Sequence, residues 1–398
     1  MWLRVRTTSQ PLPCSFCGTA TRTGQAVRAA SPSTVSICRP CLTASRALLK
    51  TAPALGLAKP TWIKRQLDRR VIGQERAKRQ LSVAVHNHLR RLDQPDDGVV
   101  IGKSNVLLVG PTGTGKTHLV RALADILDVP LHVGDATALT EAGYVGEDVN
   151  SLLSGLLAAA NGDIARARRG ILYIDEVDKL ARRAGSAHGG RDVGGEGVQQ
   201  ALLKLIEGAT VEVDAPTPKG RPKRVSFDTS SVLVICGGAF EGLNAIIARR
   251  VGARRVGFAP APRAQESDAL RPEDLHALGL IPELVGRLPV LAQLQPLSED
   301  DLVRILTEPK NALWRQYCRL FAMDGIRLRS TDGALRAIAR RCLEIGAGAR
   351  ALRSVLEEVL LDVMFEAPSR DDVEEVWITD DVVAGLAAPL LGLRSETG

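Results

Sequence analysis

Three short runs, at 105–109, 171–174 and 232–236, are apolar at almost every position and rich in β-branched residues. Strands covered on both faces read this way, whereas half-exposed strands alternate. Stretches of helical period lie between these runs, so the pattern predicts an α/β domain built on a parallel sheet flanked by helices. Past Gln295-Pro296-Leu297-Ser298 the strand-like runs stop. Asp300–Trp314, Asp332–Leu343 and Ala349–Met364 then show amphipathic helical spacing, and Val373–Ile378 reads as a closing strand. The expected organisation is a large α/β domain over 61–294 and a smaller, mainly helical domain over 295–398. Residues 1–45 form a separate module, and 46–60, rich in Ala, Leu and Lys with prolines, a linker. No internal repeat is present.

The first apolar run leads directly into Gly110-Pro111-Thr112-Gly113-Thr114-Gly115-Lys116-Thr117. Strand, glycine loop and helix in that order make a P-loop: the glycines turn main-chain N–H groups onto phosphate oxygens, and the helix N-terminus adds positive potential. Lys116 would reach the terminal phosphates of ATP, and the Thr117 hydroxyl would hold Mg²⁺. The second run ends in two carboxylates, Gly170-Ile171-Leu172-Tyr173-Ile174-Asp175-Glu176. Asp175 suits the metal, and Glu176 can polarise a water against the γ-phosphate. Together the two motifs predict ATP hydrolysis.

Charge changes the picture at one end only. Residues 1–67 hold ten Lys or Arg and no acid, the first carboxylate being Asp68, while the whole chain carries +7. The basic balance therefore belongs to the N-terminal segment, and the remainder is mildly acidic. Tethering to nucleic acid or to an acidic partner is one reading of that segment, and an organelle transit peptide another, for which little room precedes Cys14. No run of eighteen apolar residues occurs, which argues against a membrane span, and a cytoplasmic protein is expected.

Cys14-x2-Cys17 and Cys38-x2-Cys41 have the spacing of a structural four-thiolate zinc site; the alternative, disulfides, does not suit a cytosolic-type ATPase. Cys236, Cys318 and Cys342 lie in apolar surroundings and read as core residues.

The chain resembles the ClpX family of AAA+ protein unfoldases from Cys14 to about Leu391. The motifs that carry the resemblance, besides the P-loop, are Val71-Ile72-Gly73-Gln74, Gly143-Tyr144-Val145-Gly146-Glu147-Asp148, Arg191-Asp192-Val193 through Gly208, Ile235-Cys236-Gly237-Gly238-Ala239-Phe240 and Ile281-Pro282-Glu283-Leu284-Val285-Gly286-Arg287. The four-cysteine module separates it from the related HslU proteins, which lack one. The resemblance implies a homohexameric ring using ATP, Mg²⁺ and Zn²⁺. It implies that Val71 and Ile72 contact adenine, that Arg287 reaches the neighbouring subunit's γ-phosphate, and that Arg350 couples the small domain to the nucleotide. Tyr144 and Val145 match the pore loop that grips polypeptide, and Arg191, Asp192 and Val193 a second one. Partners implied are the ClpP protease, tagged or unfolded proteins and adaptors.

The chain departs from the family in places. Lys219-Gly220-Arg221-Pro222-Lys223-Arg224 stands where a basic Arg-Lys-His loop is usual, and Val256-Gly257-Phe258 where ClpP is met by Ile-Gly-Phe. The first sensor position is not identified, because Cys236-Gly237-Gly238 offers no obvious polar side chain. Two other functions fit parts of the chain: a remodelling chaperone that needs no protease, and a nucleic-acid motor. The shortage of stacking aromatics near the basic residues argues against the second.

Overall fold

A computed structural model of the protein describes residues 12–21, 26–28, 36–44, 58–94, 98–140, 148–181, 195–215, 223–253 and 269–394. The chain divides into two compact units between Ala58 and Lys59. In the second unit the three apolar runs become strands of one sheet. Its members are Val106–Val109 (β1), Leu131–Asp135 (β2), Ile171–Asp175 (β3), Leu233–Gly238 (β4) and Val290–Gln293 (β5). The strands lie in the order β5-β1-β4-β3-β2, and every pairing is parallel. β1 and β4 are buried at each position, as central strands between helical layers must be. The edge strands β2 and β5 are half-buried over most of their length. They carry His132, Gly134 and Gln293 among their apolar residues, so no continuous run marks them in the sequence. Helix Glu75–Leu92 packs on β1 and β5, helix Lys116–Leu127 on β3, and helix Val149–Ala159 on β2 and β3.

Outside the sheet, Thr210–Ala215 and Lys223–Asp228 form an antiparallel pair. Beyond β5 the chain builds a second hydrophobic cluster, around Leu302, Tyr317, Phe321, Leu352 and Val376, apart from the one over the large sheet. The helical run expected over Asp300–Trp314 is two helices, Glu299–Thr307 and Leu313–Met323. Pro309 explains the break: it has no N–H to donate to the preceding turn, and its ring cannot sit inside a helix. Ser298 starts the first helix through a capping box with Asp301. The helix expected from Asp332 runs to Ile345 and stops at Gly346, which adopts the left-handed conformation (φ 74°). The next begins at Ala351, after a 3₁₀ turn over Gly348–Arg350. Val373–Ile378 is a strand as expected, but it is the centre of three: Arg327–Ser330 pairs with it in parallel and Leu390–Leu393 antiparallel. Each outer strand is short, and Arg327–Ser330 buries only Leu328, too little to signal from pattern alone.

Where β5 passes into the helical part, Leu294 donates its N–H to Val109 O at 2.7 Å. One residue on, the Gln74 amide brackets Gln295, donating to its carbonyl at 2.8 Å and accepting from its N–H at 2.9 Å. The first unit contains two small antiparallel pairs, Leu12–Pro13 with Ala20–Thr21 and Ala26–Arg28 with Ser36–Cys38.

Candidate active site

Ligand sites of open parallel sheets lie beyond the carboxyl ends of the strands, and the candidate chemistry gathers there. β1 delivers the P-loop, β3 delivers Asp175 and Glu176, and β4 delivers Gly238-Ala239-Phe240. Gly113 (φ 79°) and Gly115 (φ 94°) are both left-handed, and Gly115 caps helix Lys116–Leu127. Any Cβ on Gly113 would run into the Ala347 carbonyl, so glycine is required there for space as well as for backbone.

Lys116 is buried, and its ammonium folds back on the loop's own carbonyls, 2.5 Å from Gly110 O and 3.1 Å from Pro111 O. Burial pushes its pKa down, against the pull of the nearby Asp175 carboxylate. An anion at the loop would relieve that desolvation, so the lysine is set for phosphate. The Thr117 hydroxyl donates to Asp175 Oδ2 at 2.8 Å, bringing two hard oxygen ligands together at the helix N-terminus, a donor set that suits Mg²⁺. Glu176 follows in the left-handed region (φ 59°), uncommon for a non-glycine residue, with its side chain exposed.

A cavity of about 960 Å³ opens beside the loop. Val71 and Ile72 supply apolar wall, Leu313 closes it from the helical side, and Arg350 lines it beside Lys116 and Thr117. The turn bearing Arg350 touches the P-loop itself, Ala349 N–H donating to Gly113 O at 3.2 Å. Apolar walls next to a phosphate cradle fit a nucleoside triphosphate, base on one side and phosphates on the other.

Arg287 is elsewhere. It precedes β5, so it sits at the opposite end of the sheet from the P-loop; Asn105 Nδ2 donates to its carbonyl at 3.2 Å, and its guanidinium pairs with Glu207 at 2.8 Å. It does not line the cavity. Tyr144, Val145, Arg191, Asp192, Val193, Val256, Gly257 and Phe258 lie outside the described residues.

Asp178 was not singled out by the sequence reading. It sits one 3₁₀ turn past Asp175 and accepts from the N–H groups of Ala239 and Phe240, each at 3.2 Å. Its only signal in the chain is a third carboxylate at the i+3 position of Asp175-Glu176-Val177-Asp178.

In the first unit, Sγ atoms of Cys14, Cys17, Cys38 and Cys41 all lie within 4.8 Å of one another. Tetrahedral thiolates at Zn–S bonds of about 2.3 Å would stand about 3.8 Å apart; Cys17 Sγ and Cys38 Sγ are separated by 3.7 Å. Main-chain N–H groups of Cys38 and Phe16 point at Cys14 Sγ, at 3.3 and 3.5 Å. The first of these is the main cause holding the Cys14 thiol down to about 6, which favours the ligating thiolate. Gly18 (φ 72°) closes the first knuckle, donating to Cys14 O at 2.8 Å. The four thiols fit a structural zinc ion, with every position filled by protein. Cys236 and Cys342 are buried, as expected of core residues, and Cys318 is partly so. Among the described residues, no helix is long and apolar enough to cross a membrane.

The sheet order, the P-loop and the carboxylate pair define a P-loop ATPase of the AAA class. Residues 102–291 match the AAA domain (Cdc48 subfamily) model, and 297–379 the C-terminal, D2-small domain of ClpB protein. The chain is 49% identical over 361 residues to the ATP-dependent Clp protease ATP-binding subunit ClpX 3 of Methylococcus capsulatus, covering 85% of this chain and 83% of that one. It is 50% identical over 323 residues to the corresponding ClpX of Porphyromonas gingivalis, 79% of each. With ClpX 2 of Wolinella succinogenes it shares 48% over 347 residues, 86% of each. The chain belongs to the ClpX family.

Proposed function

We propose that the protein is an ATP-driven unfoldase: it assembles as a homohexamer, draws tagged or unfolded polypeptides through a central pore, and passes them to ClpP. The names of its relatives, ATP-binding subunits of an ATP-dependent Clp protease, support this reading. The observation that carries it is the separation of Arg287 from its own cavity. A guanidinium that stabilises charge on a γ-phosphate has to come from a second copy, and a head-to-tail contact of that kind, repeated, closes a ring.

Within one subunit, Val71 and Ile72 pack the adenine, while Lys116 and the N–H groups of 110–117 hold the phosphates. Thr117 and Asp175 would hold Mg²⁺, which when bound offsets phosphate charge. Glu176 orients the attacking water, and Arg350 registers the phosphates for the helical domain. Tyr144 and Val145 grip the polypeptide, Arg191, Asp192 and Val193 line the pore below them, and Val256-Gly257-Phe258 docks ClpP. Cys14, Cys17, Cys38 and Cys41 hold a structural zinc in a module spanning 1–45. A linker over 46–60 joins it to an ATPase domain over 61–294 and a small domain over 295–398, all working in the cytoplasm.

The test is degradation of a tagged, folded fluorescent reporter. Fluorescence should fall with ATP alone, and the reporter should be cleaved to peptides only when ClpP is added. Unfolding without cleavage would leave a protease-independent remodeller, and an unchanged reporter in both arms would refute the proposal.

A further inference from the structure

The β4 end of the site lacks a polar side chain, since Cys236, Gly237 and Gly238 occupy it. We infer that Asp178, reaching across from the turn after β3, takes that place and acts as a positioning residue for Glu176. The inference rests on Glu176 being the group that orients water.

Three observations carry it. First, both Asp178 oxygens are engaged: Oδ1 accepts from Ala239 N–H and Oδ2 from Phe240 N–H, each at 3.2 Å. An ionised carboxylate bracketing two consecutive amides is stronger and more directional than two neutral contacts. Second, the fit is tight on the other side. A Cβ on Gly238 would collide with Asp178 Oδ1 and stand 2.7 Å from the Phe240 ring, so this strand end is shaped around the carboxylate. Third, the bracket is continuous with the catalytic groups. Glu176 N–H is held by Asp175 Oδ1 at 3.0 Å, and Glu176 O accepts from Lys179 N–H at 3.0 Å, closing the turn that contains Asp178. On the far side, Gly238 O accepts from Gly110 N–H at 3.2 Å, the first residue of the phosphate loop.

Glu176 and Phe240 both adopt left-handed backbone (φ 59° and 55°), a conformation that persists only where surroundings fix it. Asp178 is the group that joins the two. Through it, the main chain of Glu176 is referenced to the phosphate loop by way of 238–240, so the carboxylate of Glu176 is aimed relative to the γ-phosphate and not merely tethered near it.

The experiment is a double-mutant cycle on the full-length protein, reading ATP affinity and turnover separately. Glu176→Gln should lower turnover by about a hundredfold or more while ATP still binds. Asp178→Asn keeps one acceptor but turns an amide N–H₂ toward an N–H; turnover should fall about tenfold with affinity held within about threefold. Asp178→Ala, which removes both acceptors, should fall further in turnover alone. The deciding arm is Asp178→Asn on the Glu176→Gln background, where no additional loss is expected because the aimed group is already gone. A further tenfold loss there would overturn the inference, as would wild-type turnover in both Asp178 variants, or affinity falling in step with turnover. Normal turnover in Glu176→Gln would sink the reading of Glu176 and this inference with it; the other failures touch the inference alone.

Discussion

Ala349 donates its N–H to the carbonyl oxygen of Gly113 at 3.2 Å, so the phosphate loop and the turn bearing Arg350 share a hydrogen bond. The two residues come from opposite sides of the Gln293–Ser298 passage, and their contact leaves no volume between them: a methyl on Gly113 meets the Ala347 carbonyl. Gly113→Ala should therefore push the Arg350 turn off the loop and strain a backbone held at φ 79°. ATP affinity should fall by about tenfold or more, with stability lower by about 1–2 kcal/mol. Isothermal titration and urea unfolding check the two effects separately; full ATP affinity would show that the loop tolerates the turn's displacement.

Arg287 pairs with Glu207 at the end of the sheet away from the loop, whereas Glu176 stands beside the loop. Rings built only from Arg287→Ala subunits, or only from Glu176→Gln subunits, should both be nearly inactive, each losing about a hundredfold or more in turnover. Mixed in equal amounts and allowed to reassemble, they should regain a measurable share, since a subunit with intact Glu176 can receive Arg287 from its neighbour. ATP turnover of the mixture is the measurement. A mixture as inactive as its parts would place Arg287 in service of its own subunit.

His88 gives the ATPase unit a pH dependence of its own. It is buried, and burial, aided by the charges of Arg91 and Lys103, lowers its pKa from 6.5 to about 3. The unfolded chain takes up a proton below pH 6.5 that the folded chain refuses, so this contribution is complete above 6.5 and is lost as pH falls from there toward 3. At pH 5 the loss amounts to about 2 kcal/mol. His88→Leu should lose less stability than the wild type between pH 7 and pH 5, by about that amount. Parallel urea titrations at the two pH values decide it; equal losses would mean that the imidazole titrates normally.

The four thiols predict one zinc per chain. Cys14→Ser should lose it, measured by metal analysis of the purified protein, and should expose the remaining thiols to a thiol reagent under native conditions. Removing a structural metal from so small a unit should unfold it, because the strands described in it are short and bury little. The P-loop belongs to the other unit, so basal ATP turnover should persist. Metal content unchanged in the variant would dismiss the cluster as a zinc site.

What could be read in the chain was local. β1, β3 and β4 announce themselves because burial on both faces leaves unbroken apolar runs, and the P-loop and Asp175-Glu176 follow those runs without a gap. The cysteine pairs are legible from spacing. Groups that meet only after folding are not: Asp178 finds its partners 61 and 62 residues away, and Gln74 finds Gln295 at a distance of 221. Short strands such as Arg327–Ser330 place a single side chain in the core and so leave no pattern. The run over 300–314 shows the opposite weakness, since amphipathic spacing continues through Pro309, where the backbone cannot.

The distance of Arg287 from the cavity it does not line has a bearing on how the protein is controlled. If each site borrows its last cation from next door, isolated subunits are idle fuel burners. ATP consumption then tracks the number of closed assemblies and not the amount of chain present. Dilution, or any molecule that caps the exposed Arg287–Glu207 edge, would act as a brake without ever entering a nucleotide pocket.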